Sequence, residues 1–262
     1  MASFKQIFKR NTHNLLFKAL AGLGKSFYRM YENRNHDIHS NGEEYLLKQI
    51  GKTNPNIIFD VGGNIGEYAE MAAKYSPNAK IYSFEPVAKT YESLERVSEK
   101  IENIIPIKAG LYKEKSTLEI NVYGEHQLST LYHDAMDQRQ SNKESIVLLK
   151  GDDFMKEKGL DKIDFVKVDV EGAEMDVFMG FEEAIKHKKI RVFQFEYGNV
   201  NISTKVLLRD FHEFFENRGY ILGKLYPKSV DFRKYEFKHE DFIGPNFVAI
   251  VKEDLEIKKL LS

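Results

Sequence analysis

The chain of 262 residues contains no cysteine and no tryptophan, and only six prolines. Without cysteine the protein cannot form disulfides, thiolate metal sites or a cysteine nucleophile, which is compatible with a reducing compartment. It also lacks any run of the roughly 18 apolar residues that a helix needs to cross a bilayer. We therefore expect neither a disulfide scaffold nor an integral membrane protein, and we predict a cytoplasmic location.

The sequence has no excess of either charge. Lys and Arg number 39 against 40 Asp and Glu, so the net charge is -1 and the pI is near 6.7. A balanced chain has no global electrostatic attraction to nucleic acid, and we predict no nucleic-acid partner. The length is sufficient for one large α/β domain or two small ones with a substantial core.

Acidic residues are absent from the first thirty positions, where the charge becomes one-sided. Basic residues alternate there with apolar ones, at Lys5, Lys9, Arg10, Lys18, Lys25 and Arg29. The pattern suits a basic amphipathic helix on an anionic membrane surface, or a helical cap packed over a ligand site or a partner subunit. We prefer the cap, and we expect residues 1–52 to form a helical extension before a domain at 53–262.

Two strand ends carry the clearest signature of a ligand site. Residues 57–61 form an apolar segment that runs into a glycine turn, and residues 81–84 form a second one that is followed by Glu85. The candidate binding residues of the turn are Asp60, Gly62, Gly63, Asn64 and Gly66. The arrangement predicts a nucleotide-type ligand across the carboxyl ends of adjacent parallel strands. Glycines let the backbone approach the ligand, and Glu85 can accept from both hydroxyls of a ribose.

The spacing of the turn distinguishes two cofactor classes. A dinucleotide site needs Gly-x-Gly-x-x-Gly, and here Val61 occupies the first glycine position. Asp60 would place negative charge beside a pyrophosphate, whereas it suits the amino group and sulfonium of S-adenosylmethionine. Asn64 tolerates the left-handed backbone conformation better than other non-glycine residues. S-adenosylmethionine is therefore the preferred cofactor, and a nicotinamide dinucleotide is the alternative.

A second cluster of acids follows the apolar segment 163–168. Asp169, Glu171 and Glu174 lie within six residues, and Glu196 ends the next apolar segment. Neighbouring acids are costly unless a cation or a shared proton relieves them. Because neighbouring parallel strands end at the same edge of a sheet, we expect Asp169 and Glu196 to lie close together. Glu174 is expected to favour the start of a helix through the helix dipole.

The alternation of apolar segments and helical patterns predicts an open, mostly parallel sheet with helices on both faces. Residues 117–123 alternate as a half-buried strand and predict an antiparallel addition. Residues 220–226 and 246–251 predict a closing pair of strands, with 227–245 as an excursion between them. The segment 124–144 is polar and poorly periodic, which is typical of lids and substrate loops.

Three segments resemble the signatures of the FkbM family of methyltransferases, in the family's order over roughly residues 55–200. They are Asp60-Val61-Gly62-x-Asn64-x-Gly66, Phe84-Glu85-Pro86 and the stretch from Asp164 to Glu174. The resemblance implies a class I methyltransferase (Rossmann-like) fold with a mostly parallel seven-stranded sheet. It also implies S-adenosylmethionine as donor and O-methylation of a small-molecule or glycan acceptor, namely a hydroxyl of a sugar, glycan or natural product.

The resemblance also implies roles for single residues. Asp60, Gly62 and Gly66 would hold the methionine half of the cofactor, and Glu85 would hold the ribose. Gly63 departs from the pattern, because the family more often has alanine there. The residues after the third strand, 108–111, lack the acid that often recognises adenine, so recognition of adenine by backbone and apolar contact is expected.

Methyl transfer to an alcohol requires that the alcohol lose its proton, and a general base contributes roughly 10²–10⁴-fold. The candidates are Asp169, then Glu196, with Glu171 and the histidines His126 and His133 behind them. Asp169 and Glu196 could also hold Mg²⁺ against the acceptor oxygen. The alternative to an enzyme is a non-catalytic cofactor- or glycan-binding module, tethered to a membrane or to an assembly partner by the basic N-terminus.

Overall fold

The computed structural model describes residues 12–123, 128–130 and 141–262, together with residues 6, 9 and 10. His126, His133 and Lys5 lie outside the described residues, as does most of the segment 124–144. The strands of the described part are β1 (Ile57–Val61), β2 (Lys80–Phe84), β3 (Ile104–Ile107), β4 (Gly110–Tyr112), β5 (Ser116–Tyr123), β6 (Leu128–Thr130), β7 (Ser141–Lys150), β8 (Ile163–Val168), β9 (Ile190–Glu196), β10 (Tyr220–Tyr226), β11 (Ser229–Phe232) and β12 (Asn246–Val251). The helices of the same part are α1 (Leu15–Tyr31), α2 (Glu43–Gly51), α3 (Glu67–Tyr75), α4 (Ala88–Ser98), α5 (Gly151–Glu157), α6 (Glu174–Gly180), α7 (Glu182–Lys186), α8 (Val200–Thr204), α9 (Leu208–Glu216) and α10 (Leu255–Leu261), with a 3-10 turn at Phe237–His239.

The main sheet has the order β11-β10-β12-β9-β8-β1-β2-β3. Strands β9, β8, β1, β2 and β3 are parallel neighbours, and β12 lies antiparallel between β9 and β10. The expected mostly parallel sheet and closing pair are therefore confirmed. The expected number of seven strands is wrong, because the described residues contribute eight strands to this sheet. A two-residue turn at 227–228 folds Ser229–Phe232 back onto β10 as an additional antiparallel strand within the expected excursion.

A second sheet has the order β4-β7-β5-β6. Its strand β5 pairs antiparallel with β7 along its whole length, as the alternation of residues 117–123 predicts, although it joins this separate sheet and not the main one. Ile120, Ile146 and Leu148 are buried there with Val87, the residue before α4. The second sheet therefore packs beside the carboxyl end of β2.

Alternate residues of the central strands fill the core on both faces of the main sheet. In β1, Phe59 and Val61 belong to one apolar cluster, whereas Ile58 belongs to the cluster on the opposite face. Successive side chains of a strand point to opposite faces, so a parallel strand covered on both sides is apolar throughout. Asp60 interrupts this pattern and is fully buried, which marks the carboxyl end of β1 as a special position.

The segment before β1 contains two helices that pack differently. Helix α2 buries Leu46, Leu47 and Ile50 in the same cluster as Ile58 of β1. Helix α1 buries none of its residues. The described residues include no helix that is both long and apolar enough to traverse a bilayer.

Candidate active site at the carboxyl edge of the sheet

A cleft of about 290 Å³ opens where β1, β2 and β8 end. One wall is polar and comprises the turn after β1, Glu85 and the acids after β8. Another wall is apolar and comes from the second sheet, at Leu111, Ile120, Ile146 and Leu148. The position follows from the topology, because β1 is where the strand order reverses and open α/β sheets bind ligands at that point.

The turn after β1 has the backbone conformation that its glycines predict. The φ angles of Gly62, Asn64 and Gly66 are 87°, 47° and 92°, all in the left-handed region that favours glycine and tolerates asparagine. The backbone N–H groups of Gly62 and Gly63 donate to the carbonyl oxygen of Phe84 at 3.0 and 2.9 Å. The turn is therefore fixed to the end of β2, which brings the two predicted motifs together.

Asp60 lies behind this turn. Its Oδ2 accepts a hydrogen bond from Ser83 Oγ at 2.7 Å, and its Oδ1 lies 3.9 Å from Lys167 Nζ. Burial raises the pKa of Asp60, against the opposing effects of Lys167 and Ser83. A Cβ atom on Gly63 would overlap Ser83 Oγ, so an alanine here would require the Ser83 side chain to move from its place beside Asp60. The predicted cofactor acid is thus linked to the cleft through Lys167 and does not face the cleft itself.

Glu85 lines the cleft and also organises its floor. Its Oε1 accepts from Val87 N at 2.9 Å and from Thr90 Oγ1 at 2.8 Å, and its Oε2 accepts from Asn64 N at 3.0 Å. Burial raises the pKa of this carboxyl, while the three donors act in the opposite direction. A carboxylate accepts about four hydrogen bonds. Three positions are filled by the protein, which leaves Oε2 able to accept from a ligand hydroxyl.

Lys167 is a cleft residue for which the sequence motif predicts no role. Its ammonium is buried, lies 3.1 Å from Asp169 Oδ2 and sits 4.5 Å from the centre of the Tyr68 ring. Burial disfavours this ammonium, but the carboxylates of Asp169, Asp60 and Glu43 outweigh burial and raise the pKa of Lys167. A lysine between two valines near the end of the mostly buried strand β8 is the signal that identifies it, since a buried charge needs partners.

The structure brings the three predicted catalytic acids together. One carboxylate oxygen from each of Asp169, Glu171 and Glu196 lies within 4.8 Å of the others. Burial and the carboxylates of Asp169, Glu171 and Glu174 raise the pKa of Glu196 well above its ordinary value. Such a carboxyl takes up a proton more readily than an exposed glutamate, which suits a group that accepts a proton from a substrate.

Glu174 closes the turn between β8 and α6. Its Oε1 accepts from Gly172 N at 3.1 Å and from Val170 N at 3.2 Å, and its Oε2 is buried with no hydrogen-bond partner in the described residues. Burial raises the pKa of this carboxyl to about 7. The side chain supports the backbone that carries Asp169 and Glu171, as expected for a residue at the start of a helix.

The segment before the first strand also reaches the cleft. Glu43 lines it and accepts from Gln194 Nε2 at 2.6 Å, while Gln194 Oε1 accepts from Tyr68 OH at 2.7 Å. Burial raises the pKa of Glu43, and Lys167 opposes that effect. His36 Nδ1 lies 3.8 Å from Glu196 Oε1. Glu43 and His36 cannot be predicted from sequence motifs, because no local pattern indicates where residues 32–43 fold.

The charges of the cleft are predominantly negative. The lining contains one lysine, Lys167, and five acids, which are Glu43, Glu67, Glu85, Asp169 and Glu171. A cleft of this kind favours a ligand with cationic groups, and the free Oε2 position of Glu85 favours a ligand with hydroxyls. The apolar wall favours a flat ring. These features fit the sulfonium, the ribose and the adenine of S-adenosylmethionine.

The strand order, the glycine turn and the position of Glu85 define a class I methyltransferase fold. A solved structure with this fold is the methyltransferase FkbM from Methylobacillus flagellatus KT, with a TM-score of 0.50 and 16% sequence identity over 75% of this chain and 44% of that chain. Residues 60–222 match the model of the methyltransferase FkbM domain, and the chain belongs to that family of methyltransferases. The family expected from the three sequence segments is therefore confirmed.

Two curated relatives that are named as methyltransferases come from different organisms. The methyltransferase sdnD of Sordaria araneosa is 30% identical over 161 residues, which cover 50% of this chain and 62% of sdnD. The hexuronic acid methyltransferase AglP of Haloferax volcanii is 27% identical over 149 residues, which cover 55% of this chain and 57% of AglP. The chain thus matches about six tenths of the length of these relatives.

Proposed function

We propose that the protein transfers a methyl group from S-adenosylmethionine to a hydroxyl of a sugar, glycan or natural product. The observation that carries the proposal is the meeting of Asp169, Glu171 and Glu196 in the same cleft as Glu85 and the glycine turn. A proton acceptor and a cofactor site are thereby combined in one cleft. The name of AglP, a hexuronic acid methyltransferase, supports a sugar acceptor.

The cofactor is assigned to the cleft by its three kinds of wall. Glu85 would hold the ribose, the turn from Gly62 to Gly66 would hold the methionine half, and the apolar wall at Leu111 and Leu148 would hold the adenine, since all of these residues line the cleft. The negative lining attracts the sulfonium. Asp60 contributes its negative charge from behind the turn, where it pairs with Lys167 and accepts a hydrogen bond from Ser83.

The bound cofactor supplies an electrophilic methyl group, and the residues of the chain supply alignment and a base. Alignment of the two reactants accounts for several kcal/mol, on the order of 7 or more in well-oriented systems. Glu196 accepts the proton of the acceptor hydroxyl, because burial and the neighbouring carboxylates raise its pKa and make it a stronger base than an ordinary carboxyl. Asp169 is oriented by Lys167 and holds the acceptor beside Glu196.

The three acids also fit a divalent cation, since Mg²⁺ prefers carboxylate oxygens and three of them lie within 4.8 Å. However, the ammonium of Lys167 lies 3.1 Å from Asp169 Oδ2 and already relieves the negative charge. The proposal therefore gives the base role to the carboxylates without a metal. If a chelator stopped methyl transfer and added Mg²⁺ restored it, a metal-assisted reaction would replace this metal-free mechanism.

The test measures methyl transfer from radiolabelled S-adenosylmethionine to a panel of uronic acids, nucleotide sugars and polyketide-type alcohols. We expect transfer to one class, a fall of roughly 10²–10⁴-fold in Glu196→Gln, and unchanged cofactor binding in that variant. Glu182→Gln, which alters a glutamate paired with Arg218 outside the cleft, is the matched control. Cofactor binding without transfer to any acceptor would contradict the proposal and favour the non-catalytic binding module.

A further inference from the structure

Helix α1 divides cleanly into an apolar face and a basic face. Positions spaced by four and three residues share one face of a helix. Five apolar residues follow this spacing, at Leu16, Leu20, Leu23, Phe27 and Met30. The basic residues Lys18, Lys25 and Arg29 lie on the opposite face, and the helix contains no acid.

The apolar face of α1 is exposed along its length. The exposed fractions are 67% for Leu16, 51% for Leu20, 58% for Leu23, 65% for Phe27 and 66% for Met30. Large contiguous apolar surfaces are uncommon on a protein that is surrounded by water alone. A stripe of five such residues over four helical turns therefore indicates a surface that something else covers.

The rest of the protein holds α1 at its carboxyl end. Glu32, which follows the helix, is buried and accepts from Lys224 Nζ at 3.0 Å and from Tyr226 OH at 3.1 Å. Asn33 donates to the carbonyl oxygens of Asn41 and Leu225 at 2.7 and 3.1 Å. The helix is therefore fixed in direction at this end, while its apolar face points away from the core.

A neighbouring segment also exposes an apolar residue. Tyr28 of α1 donates to Asp241 Oδ2 at 3.4 Å. Four residues before Asp241, Phe237 is 87% exposed at the start of the 3-10 turn. Apolar side chains are thus exposed both on α1 and on a 3-10 turn close in sequence to Asp241, which α1 contacts.

We propose that α1 docks this protein on the surface of an anionic lipid bilayer, with its apolar stripe among the acyl chains at the interface. An interfacial helix of this kind has a large apolar face, a polar face rich in Lys and Arg, and a low overall hydrophobicity. The three cations and the absence of acids complement anionic headgroups.

Docking places the cleft close to the lipid surface. Residues 32–38 connect the end of α1 to Ile38 in the cleft lining, and seven residues span at most about 25 Å. His36 of this connection lies 3.8 Å from Glu196 Oε1. A short segment therefore joins the exposed helix to the cleft and also contacts one of the cleft acids.

The test is flotation of the full chain with vesicles of phosphatidylglycerol and phosphatidylcholine, compared with vesicles of phosphatidylcholine alone. We expect binding to the anionic vesicles and a fall of at least tenfold in partitioning for the double variant Leu20→Asp, Phe27→Asp. A further double variant, Lys18→Gln and Lys25→Gln, should lose about fivefold for each lysine removed. The matched control is Ile202→Asp, which changes an apolar residue that is 60% exposed on α8.

The readout does not depend on methyl transfer, and the altered residues are exposed, so circular dichroism should show the same fold in every variant. Three results would overturn the proposal. One is equal binding by the α1 double variant and its parent, and another is equal binding to neutral and anionic vesicles. The third is a parent protein that does not bind vesicles and is a dimer by light scattering, together with an α1 double variant that is a monomer. A second copy of the chain would then cover the stripe.

Discussion

At the scale of single residues, the cleft depends on the balance of charge around Lys167. The ammonium lies between Asp60, at 3.9 Å, and Asp169, at 3.1 Å, and it has little access to water. Removing one partner of a buried ion pair leaves the other charge uncompensated, which costs about 3–5 kcal/mol. Lys167 therefore connects the acid behind the glycine turn to the acid beside Glu196.

Lys167→Met should lower the free energy of unfolding by about 3–5 kcal/mol, measured by urea titration. In a plot of methyl-transfer rate against pH, the same change should move the acidic limb to higher pH. Carboxyls that lose a neighbouring cation bind protons more tightly. Lys224→Met is the matched control, since Lys224 is equally buried and pairs with Glu32 at 3.0 Å outside the cleft. It should cost similar stability and leave the pH profile unchanged. A stable Lys167→Met with an unshifted profile would contradict this account.

Glu174 predicts a dependence of stability on pH. Its pKa of about 7 lies above the ordinary value of 4.5, so the unfolded chain releases this proton first as pH rises. Ionisation of Glu174 therefore favours unfolding between pH 4.5 and 7, and its stabilising contribution is lost as pH passes the folded pKa. As pH rises through this range, the free energy of unfolding of the parent should fall by on the order of 3 kcal/mol relative to that of Glu174→Gln, measured by urea unfolding. A difference in unfolding free energy that stays constant with pH would contradict this prediction.

The proximity of Asp169 and Glu196 is predictable from the sequence, because both residues end neighbouring parallel strands. The role of Lys167 is harder to predict, since its partners come from three separate segments. Glu43 and His36 are harder still, because their positions depend on how residues 32–43 fold across the edge of the sheet. Local patterns indicate which residue ends a strand, and they carry little information on distant segments that reach the same place.

At the scale of elements, the turn between β1 and α3 couples the cofactor motif to the acids. A Cβ atom on Gly62, whose φ is 87°, would overlap the backbone carbonyl oxygen of Asp169. The glycine is therefore required for two reasons, its left-handed backbone and the close approach of the strand end after β8. Any side chain at this position must displace one of the two elements.

Gly62→Ala should destabilise the protein more than Gly159→Ala, measured by thermal unfolding. Gly159 also has a left-handed backbone, with φ of 64°, but a Cβ atom there meets nothing within 4 Å in the described structure. Its substitution should cost only the strain of the backbone, about 1–2 kcal/mol. Gly62→Ala adds the overlap with Asp169 and should also weaken cofactor binding. Equal costs for both variants would show that the contact with Asp169 has no energetic effect.

The main sheet is largely predictable from the pattern of apolar segments, including its closing pair of antiparallel strands. The additional strand β11 is missed because Ser229–Phe232 is short and follows β10 after only two residues. The separate sheet formed by β4, β5, β6 and β7 is missed for another reason, since alternation identifies a half-buried strand and does not identify its partner.

At the scale of the whole molecule, the cleft is assembled from three parts of the chain. The edge of the main sheet supplies the turn, Glu85 and the acids, and the second sheet supplies the apolar wall. The segment before β1 supplies Glu43 and the connection to the exposed helix α1. The chain belongs to the FkbM family of methyltransferases, and the proposed acceptor would meet a cleft to which all three parts contribute.

The central claim is that this cleft binds S-adenosylmethionine through Glu85, and calorimetric titration of the cofactor tests it most directly. The parent should bind both S-adenosylmethionine and its demethylated product, and the control Glu182→Gln should bind each ligand as tightly as the parent does. Glu85→Ala should weaken binding of both by at least tenfold, about 1.4 kcal/mol, because a charged acceptor of the ribose hydroxyls is lost. No detectable binding to the parent at millimolar cofactor, or unchanged affinity in Glu85→Ala, would contradict the account.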